Sequence, residues 1–334
     1  MTTTTVPPSR KVLVDCVHSA TAAPSLHNSQ PWRFRIDGPA VEVYADSRRR
    51  LEVVDPAGRE QLISLGAAVY TLRLAIQQAG YRCDLTPFPR PDEPDLVARV
   101  VAGRPAPVSP ATEALATAIP HRHTNRWPFA HTPVPPVALR LLVDAARREG
   151  AVLTVAGSAG RERIMTMALE ADHLLRDRHG YREELDRWTG YGTRHDGVPL
   201  WAVGPWDALE SVPVRDFGDL STLTRPMEKF EPYPTILILA TDGDRQPDWL
   251  RAGQALQRVL LTATWQNLAT TPISQPVEVP AVRRMLTDPA TGFDAQMVLR
   301  VGYGKVAGRS PRRPVSEVLL PDRADGSPEE ARDA

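Results

Sequence analysis

Apolar positions along the first hundred residues switch between helical and strand spacing. Positions 11–23 and 56–80 repeat apolar residues every three or four positions, and each run ends at a Pro or Gly, as helices do. Positions 32–43 alternate apolar and polar residues around an Asp-Gly pair, which predicts a β-hairpin. Two more strands are predicted around 81–88 and 96–102. This order predicts a first unit built of helices and a sheet.

A second unit follows a proline-rich stretch. Residues 104–110 are poor in apolar residues and are predicted to be a linker between an N-terminal half, residues 1–103, and a C-terminal half, residues 111–334. In the second half the same spacing rules predict helices at 111–119, 136–149, 160–178 and 250–270, and strands at 151–156, 234–241 and 296–304. The predicted fold class is α+β, with helices surrounding sheet.

Residues 189–234 break this order. They lack sustained periodicity but contain Trp201, Trp206, Phe217 and Phe230. Disordered segments are usually poor in aromatic residues, and a long structureless connection is rarely neutral in a compact protein. We therefore expect an ordered flap, or lid, rather than disorder.

Composition narrows the function classes. The 334 residues carry 40 basic and 40 acidic side chains, so no global field attracts nucleic acid or an anionic membrane. The N-terminal sequence lacks the apolar run of a signal peptide, and no later stretch reaches the roughly 20 apolar residues of a membrane span. Two cysteines argue against a disulfide framework. A cytoplasmic protein that acts on a small molecule is expected.

The sequence APSLHNSQPWRF, residues 23–34, combines a helix end with small polar side chains. Pro24 and Ser25 are followed by Asn28, Gln30 and an aromatic residue, so that hydrogen-bonding groups crowd one turn before a strand. Such a corner suits a flat heteroaromatic ligand. The alternative is a capped loop in which Ser and Asn only satisfy the local backbone.

A second string, HRHTNRWPF, spans residues 121–129. Arg122, Thr124 and Arg126 are two residues apart, so in an extended segment their side chains project to the same side. Two guanidiniums flanking a hydroxyl form a cradle for a phosphate monoester. The alternative is a solvated basic loop. The His-x-His pair has no third ligand at a supporting spacing, so no metal site is predicted.

Together the two strings resemble signatures of FMN-dependent nitroreductases. The first resembles the family's AxxAPSxxNxQPWxF string, and RHTNRWPF resembles the RRSxRxF-like string that holds the FMN phosphate. In the family the second string precedes the first within one subunit, whereas here the order is inverted. Two identical subunits of the family build each flavin pocket across their interface. This chain is therefore similar to both subunits fused, as in the Acg-like branch.

The resemblance implies a nitroreductase-like fold of two pseudo-symmetric halves, an internal pseudo-dimer that needs no second chain. It implies one complete FMN site per chain under a lid, because each half has kept one string only. Arg312 and Arg313, after a predicted strand, resemble the closing basic string that returns to the phosphate. Ser274 and Gln275 are candidates for polar contact with the flavin ring, or for capping a turn.

The leading functional hypothesis is an FMN-binding oxidoreductase that moves two electrons from a donor such as NAD(P)H, bound transiently, to a small organic acceptor. No catalytic residue is nominated, because the cofactor supplies the reactive atom. No GxSxG elbow or GxGxxG turn is present, which disfavours a serine hydrolase and a Rossmann dehydrogenase. The alternatives are an FMN storage or sequestration protein with little reductase activity, and a specialised dehydrogenase acting on a natural-product intermediate.

Overall fold

The computed structural model describes residues 7–190, 194–209, 212–215, 217, 225–287, 291–306 and 308–323. Its helices are α1 (Arg10–Ala20), α2 (Arg59–Gln78), α3 (Pro110–Ala118), α4 (Pro136–Arg147), α5 (Ser158–Arg176), α6 (Tyr181–Arg187), α7 (Gln246–Trp265), α8 (Gln275–Glu278), α9 (Pro280–Met285) and α10 (Val315–Val318). Its strands are β1 (Trp32–Asp37), β2 (Ala40–Ala45), β3 (Tyr81–Pro87), β4 (Leu96–Pro105), β5 (Val152–Val155), β6 (Thr189–Gly190), β7 (Val198–Pro199), β8 (Trp206–Asp207), β9 (Met227–Glu228), β10 (Thr235–Thr241), β11 (Ala269–Pro272) and β12 (Asp294–Gly302).

The first half forms an antiparallel sheet in the order β1-β2-β4-β3. The predicted hairpin is confirmed, with Trp32 paired to Ala45 at its open end and Gly38 at φ +56° in its turn. A positive φ is readily adopted by glycine because it has no Cβ. The alternate residues Trp32, Phe34 and Ile36 are buried on the face that packs against α1 and α2.

The second half repeats this topology. Its sheet has the order β5-β10-β12-β11, again with every neighbouring pair antiparallel. In each half, a 20-residue helix joins the second and third strands of the set in chain order, α2 in the first half and α7 in the second. The two halves of the described chain therefore share strand order, strand direction and the position of their longest helix.

Helices α2 and α7 cross at a pair of glycines. Gly66 lies seven residues after the start of α2 at Arg59, and Gly253 lies seven residues after the start of α7 at Gln246. A Cβ on either glycine would lie 2.9 Å from the Cα of the other and would overlap a backbone carbonyl of the facing helix. Equivalent positions of the two halves therefore meet where α2 and α7 come into backbone contact. The contacts are reciprocal, as a local two-fold relation between the two helices requires.

Most predicted elements are confirmed, with shifted ends. The helix predicted at 56–80 begins at Arg59, after Gly58 at φ +73°. The predicted linker 104–110 is shorter than expected, because β4 continues to Pro105 and α3 begins at Pro110. Backbone pairing with β3 holds those last residues of β4 in the sheet, from Tyr81 opposite Pro105 onward.

The described part of the 189–234 segment packs against both halves. It contains two short parallel pairs, β6 with β7 and β8 with β9. Val212, Phe217 and Phe230 are each at most 5% exposed. Residues 191–193, 210, 211, 216 and 218–224 of the predicted lid lie outside the described residues. In the described ranges, helices long and apolar enough to cross a membrane are absent.

Candidate cofactor site

A cavity lies between α2, the 24–27 turn, the chain after β11 and the 189–234 segment. It encloses about 960 Å³ of space outside protein atoms, part of it continuous with solvent. Both halves line it. The predicted site residues on its wall are Pro24, Ser25, Thr124, Arg126, Ser274 and Gln275. The wall is completed mainly by residues of α2, by residues 212–215 and by Phe217.

Two predicted arginines meet close to the cavity. Arg122 is 3% exposed, and its guanidinium and that of Arg312 both donate to the carbonyl oxygen of Ala22, at 3.3 and 3.4 Å. The Nε of each is buried without a partner. Burial, and then the charge of Arg312, lowers the pKa of Arg122 to about 9, and burial lowers the pKa of Arg312 to about 10. Arginine keeps its proton in proteins, so this is a place of concentrated positive charge.

The positive charges of Arg122 and Arg312 also affect the neighbouring His123. Burial, followed by the charges of Arg122 and Arg312, lowers the pKa of His123 to about 4. Two other arginines, which lie on the cavity wall, are neutralised: Arg215 lies 2.7 Å from both carboxylate oxygens of Glu278, and Arg300 lies 2.6 Å from both oxygens of Glu231. Among the described residues, Arg122 and Arg312 have no such carboxylate. An unpaired buried charge is costly, so the pair is suited to bind an anion.

Backbone pairing places the RHTNR string at the cavity. Thr124 forms a parallel bridge with Thr270 of β11, and the Asn125 amide donates to the Thr270 carbonyl at 2.9 Å. Thr124 and Arg126 consequently face the cavity, whereas Arg122 turns toward Ala22 and Arg312. The three side chains predicted to form a single cradle therefore divide between two places.

Arg126 lines the cavity beside Phe217. Its guanidinium lies 4.9 Å from the centre of the Phe217 ring and donates to the carbonyl oxygen of Ala202 at 2.8 Å. Burial, followed by the charges of Arg215 and Arg225, lowers the pKa of Arg126 to about 10. This arginine links the cavity wall to the 189–234 segment.

The polar atoms of Asn28 and Gln30 are engaged with the protein itself. Asn28 Oδ1 accepts from Arg312 at 2.8 Å, and its Nδ2 donates to the carbonyl oxygen of Gly197 at 2.9 Å. Gln30 Nε2 donates to the carbonyl oxygen of His195 at 2.7 Å, and its Oε1 accepts from the Arg313 amide at 2.8 Å. Through these hydrogen bonds the two side chains hold residues 195–197 and the C-terminal residues 312–313 against the 23–34 turn. They position the site and do not line the cavity.

Arg313 is also a fastening residue. Its guanidinium donates to the backbone carbonyls of Gln30, Trp32 and Glu317, at 3.2, 3.5 and 2.9 Å. Next to it, the Leu320 amide donates to the Phe34 carbonyl at 2.6 Å. The tail of the second half therefore pairs with the first strand of the first half, which carries Arg312 to Arg122.

Ser25, Ser274 and Gln275 differ in how much hydrogen-bonding capacity is left. Ser25 Oγ accepts from the Gln30 amide at 2.9 Å, and Ser274 Oγ accepts from Arg215 at 3.2 Å. Gln275 is 3% exposed, and its side-chain nitrogen is buried without a partner. A hydroxyl that accepts a hydrogen bond still has a hydrogen to donate, and the Gln275 nitrogen has both of its hydrogens free, so all three side chains can donate to a ligand in the cavity.

Two residues in the cavity wall were missed by sequence reasoning. His27 looks like a spacer in the first string, and Glu60 looks like an ordinary acidic residue at a helix start. Glu60 is 3% exposed and paired with Arg59. Burial raises the pKa of Glu60 to about 8; Arg59 and Arg215 oppose the rise, while Glu278 and Asp55 add to it. Only the folded chain reveals these surroundings.

The described residues contain no group of three or more His, Cys, Asp or Glu side chains placed to hold an ion.

Named proteins of similar sequence place the chain in a family. A Mycobacterium tuberculosis protein provisionally named an NAD(P)H nitroreductase is 32% identical over 308 residues, which cover 90% of this chain and 88% of the relative. Another, the provisionally named NAD(P)H nitroreductase Acg of the same organism, is 30% identical over 319 residues, 92% of this chain and 95% of Acg. No protein-family model matches the chain.

Solved structures of nitroreductases also resemble it, at low similarity. The FMN-dependent nitroreductase NfnB from Mycobacterium smegmatis in complex with NADPH is 18% identical with a TM-score of 0.40, over 63% of this chain and 99% of NfnB. A Bacteroides fragilis nitroreductase with bound FMN is 12% identical with a TM-score of 0.35, over 66% of this chain and 98% of that one. The family assignment rests on the sequence relatives: the chain belongs to the nitroreductase family, and within it to the Acg-like group.

Proposed function

We propose that this protein is an FMN-dependent oxidoreductase that binds one FMN per chain and moves two electrons from a reduced donor such as NAD(P)H to a small organic acceptor. The observation that carries the proposal is the pair of guanidiniums, Arg122 and Arg312, which have unpartnered Nε atoms and meet at the carbonyl of Ala22, two residues before Pro24 of the cavity wall. The names of the relatives support an oxidoreductase and supply NAD(P)H as the expected donor.

The anionic end of the cofactor fits the arginine pair. A phosphate monoester carries nearly two negative charges, which offset those of Arg122 and Arg312. Each charge-assisted hydrogen bond contributes roughly 1.5–3 kcal/mol. From this point both strings run into the cavity, from Ala22 to His27 in the first and from Arg122 to Arg126 in the second. A ligand with a phosphate at one end and a flat polar ring at the other matches this layout.

The flavin-ring end of FMN fits the polar groups on the cavity wall. The buried amide nitrogen of Gln275, the hydroxyls of Ser25 and Thr124, and the guanidinium of Arg126 can pair with ring heteroatoms. Phe217 packs over Arg126 and keeps water from that side. FMN, when bound, takes up two electrons from the donor and passes them to the acceptor. The protein's own contribution is to hold, orient and enclose.

The site is asymmetric in the proposal. The first half supplies the 24–27 turn, and the second supplies the RHTNR string, Gln275 and the arginine-bearing tail. The junction between α4 and β5 in the second half has no PSxxNxQPW string, and no RxSxR triplet precedes α1. A fused pseudo-dimer with one working pocket follows, and no second chain is needed to complete it.

One feature favours the alternative function of FMN storage. Hydrogen bonds from Gln30 to His195, from Asn28 to Gly197 and from Arg126 to Ala202 hold the 189–234 segment over the cavity. A cofactor enclosed in this way would be shielded from a nicotinamide donor. The storage protein and the reductase would share the same binding residues and differ only in access.

Anaerobic mixing separates the two. The FMN-loaded protein is mixed with NADPH, and separately with NADH, and the visible flavin absorbance is followed. Rapid bleaching followed by recovery on adding menadione supports the reductase. Persistent colour with both donors, together with tight FMN binding, supports storage. Protein that cannot be loaded with FMN eliminates both.

A further inference from the structure

His27 is held in an unusual backbone conformation at the cavity. It has φ 47° and ψ 27° within the short turn Leu26–Asn28, and Asn28 and Gln30 follow at φ 55° and 50°. The left-handed region is unfavourable for a residue other than glycine, so three such residues within four positions represent stored strain. Strain of this kind persists where surrounding contacts impose it, and it is concentrated at functional sites.

Its ring is the unsatisfied group of this turn. His27 is 6% exposed and lines the cavity, and both ring nitrogens are buried without a partner among the described residues. The neighbouring polar side chains, Ser25, Asn28 and Gln30, all have protein partners. A buried polar group left without a hydrogen bond has lost its contacts with water and gained none in exchange, which destabilises the folded chain. A ligand in the cavity would remove that cost.

The ring is oriented and kept neutral by its neighbours. Phe217 packs against it edge-on, with ring centres 5.7 Å apart and an angle of 68° between planes. Burial, followed by the charges of Arg215 and Arg126, lowers the pKa of His27 well below its ordinary value. A neutral imidazole has one N–H donor and one acceptor nitrogen. The neutral ring of His27 therefore offers an N–H donor close to the positive charges of Arg215 and Arg126.

The position of the His27 ring in the cavity determines which ligand it can contact. Phe217 belongs to the 189–234 segment and contacts both His27 and Arg126, so His27 lies at the part of the cavity wall that this segment helps to form, whereas Arg122 and Arg312 meet at Ala22. If FMN occupies the pocket as proposed above, the space under this segment is where a second reactant comes and goes. Arg126 and the N–H of His27 together attract an oxygen that carries negative charge.

We propose that His27 is a specificity-determining residue that binds the polar oxygen of the electron acceptor, a small flat nitroaromatic or quinone. The inference rests on the proposed function. It assigns His27 to the acceptor and not to FMN. The imidazole N–H donates to the acceptor oxygen and keeps its own proton.

The test uses full-length protein loaded with FMN, in three variants. His27→Phe keeps a flat ring against Phe217 but removes both polar atoms. His27→Asn keeps a donor and an acceptor, and asparagine tolerates the left-handed region, so it remains interpretable if the Phe variant folds poorly. His131→Phe, at an exposed position, is the matched control. Circular dichroism and thermal unfolding establish that each variant is folded.

Two affinities are measured for each protein. FMN affinity is obtained by titrating the apoprotein. Acceptor affinity is obtained by reducing the flavin with dithionite under anaerobic conditions and measuring its reoxidation rate against menadione and p-nitrobenzoate concentration. Benzoate, which is redox-inert, is titrated into the oxidised protein as a binding readout free of turnover.

His27→Phe is expected to weaken binding of the carboxylates benzoate and p-nitrobenzoate about 10- to 100-fold, the loss of one hydrogen bond to a charged group. Binding of menadione, a neutral quinone, should weaken about 2- to 10-fold, and FMN affinity should change less than about twofold. His27→Asn should recover part of the loss, and His131→Phe should match the unmodified chain. A weakened FMN affinity with unchanged acceptor binding would overturn the inference and assign His27 to the cofactor. Unchanged binding of both would also overturn it. If the unmodified chain binds no FMN, the proposed function fails first, and this inference fails with it.

Discussion

Substitution of Gly66 by Ala tests the packing that joins the two halves. Helices α2 and α7 touch backbone to backbone at Gly66 and Gly253, so the added methyl of Gly66→Ala would lie 2.9 Å from the Cα of Gly253 and would overlap the carbonyl of Leu250. Because atoms at such distances repel, the helices must separate by on the order of 1 Å. The neighbouring atoms are backbone and cannot rotate away.

Two opposing effects set the magnitude. Ala is a better helix former than Gly by about 1 kcal/mol. Overpacking a close-packed interface typically costs about 1–3 kcal/mol, and the cost lies at the upper end when backbone must move. We expect a net loss of about 2 kcal/mol in the free energy of unfolding. Since α2 also carries Glu60, Ile63 and Ser64 into the cavity wall, FMN binding should weaken too.

Gly160→Ala is the matched control. Gly160 lies in α5, and its nearest heavy atom to an added Cβ is the Cβ of Ala156 at 3.8 Å, an ordinary contact. The same substitution should therefore stabilise the protein there, by up to about 1 kcal/mol. Urea unfolding followed by tryptophan fluorescence and circular dichroism measures both variants. A Gly66→Ala protein as stable as Gly160→Ala would refute the tight crossing.

Three further predictions concern charge and reactivity. Arg122→Ala should weaken FMN binding at least about 10-fold and leave the affinity for riboflavin, which has no phosphate, nearly unchanged; equal losses for both ligands would contradict a phosphate contact. Burial, with Asp15 adding to it, raises the pKa of Cys16 to about 12, and burial raises that of Cys83, so native protein near pH 8 should react with Ellman's reagent far more slowly than urea-unfolded protein. A fast native reaction would show that the thiols are accessible. Burial raises the pKa of Glu60 from an ordinary 4.5 to about 8. The folded state therefore holds a proton that the unfolded chain has released, and this contribution to stability, complete below about pH 4.5, is lost as pH rises through about 8. Glu60→Gln should remove that decline from the unfolding free energy measured between about pH 5 and 9, and superimposable pH profiles would exclude it.

Local patterns predicted the hairpin and the long helices well. The alternation at Trp32, Phe34 and Ile36 reflects one buried face of a sheet, and helical spacing around Gly66 reflects a helix packed on several sides. Such spacing follows directly from the geometry of each element and needs no knowledge of its partners. The helix predicted at 250–270 was wrong at its end: α7 stops at Trp265, and Ala269 and Thr270 belong to β11, because pairing with β12 and not local preference defines that strand.

The site could be predicted only in part. Sequence spacing placed Thr124 and Arg126 together correctly, because both face the cavity from one extended segment. It could not show that Arg122 would turn to Arg312, nearly two hundred residues away, or that Asn28 and Gln30 would be engaged by the chain around 195–197. These outcomes depend on tertiary neighbours, which the local pattern does not encode.

The central claim is that one FMN site is assembled from both halves of a single chain. Isothermal titration of the apoprotein with FMN, with protein mass determined in parallel, measures this directly. The account predicts saturation at one FMN per chain in the monomer. Saturation at two per chain, the absence of binding, or binding only by an assembled dimer would contradict it.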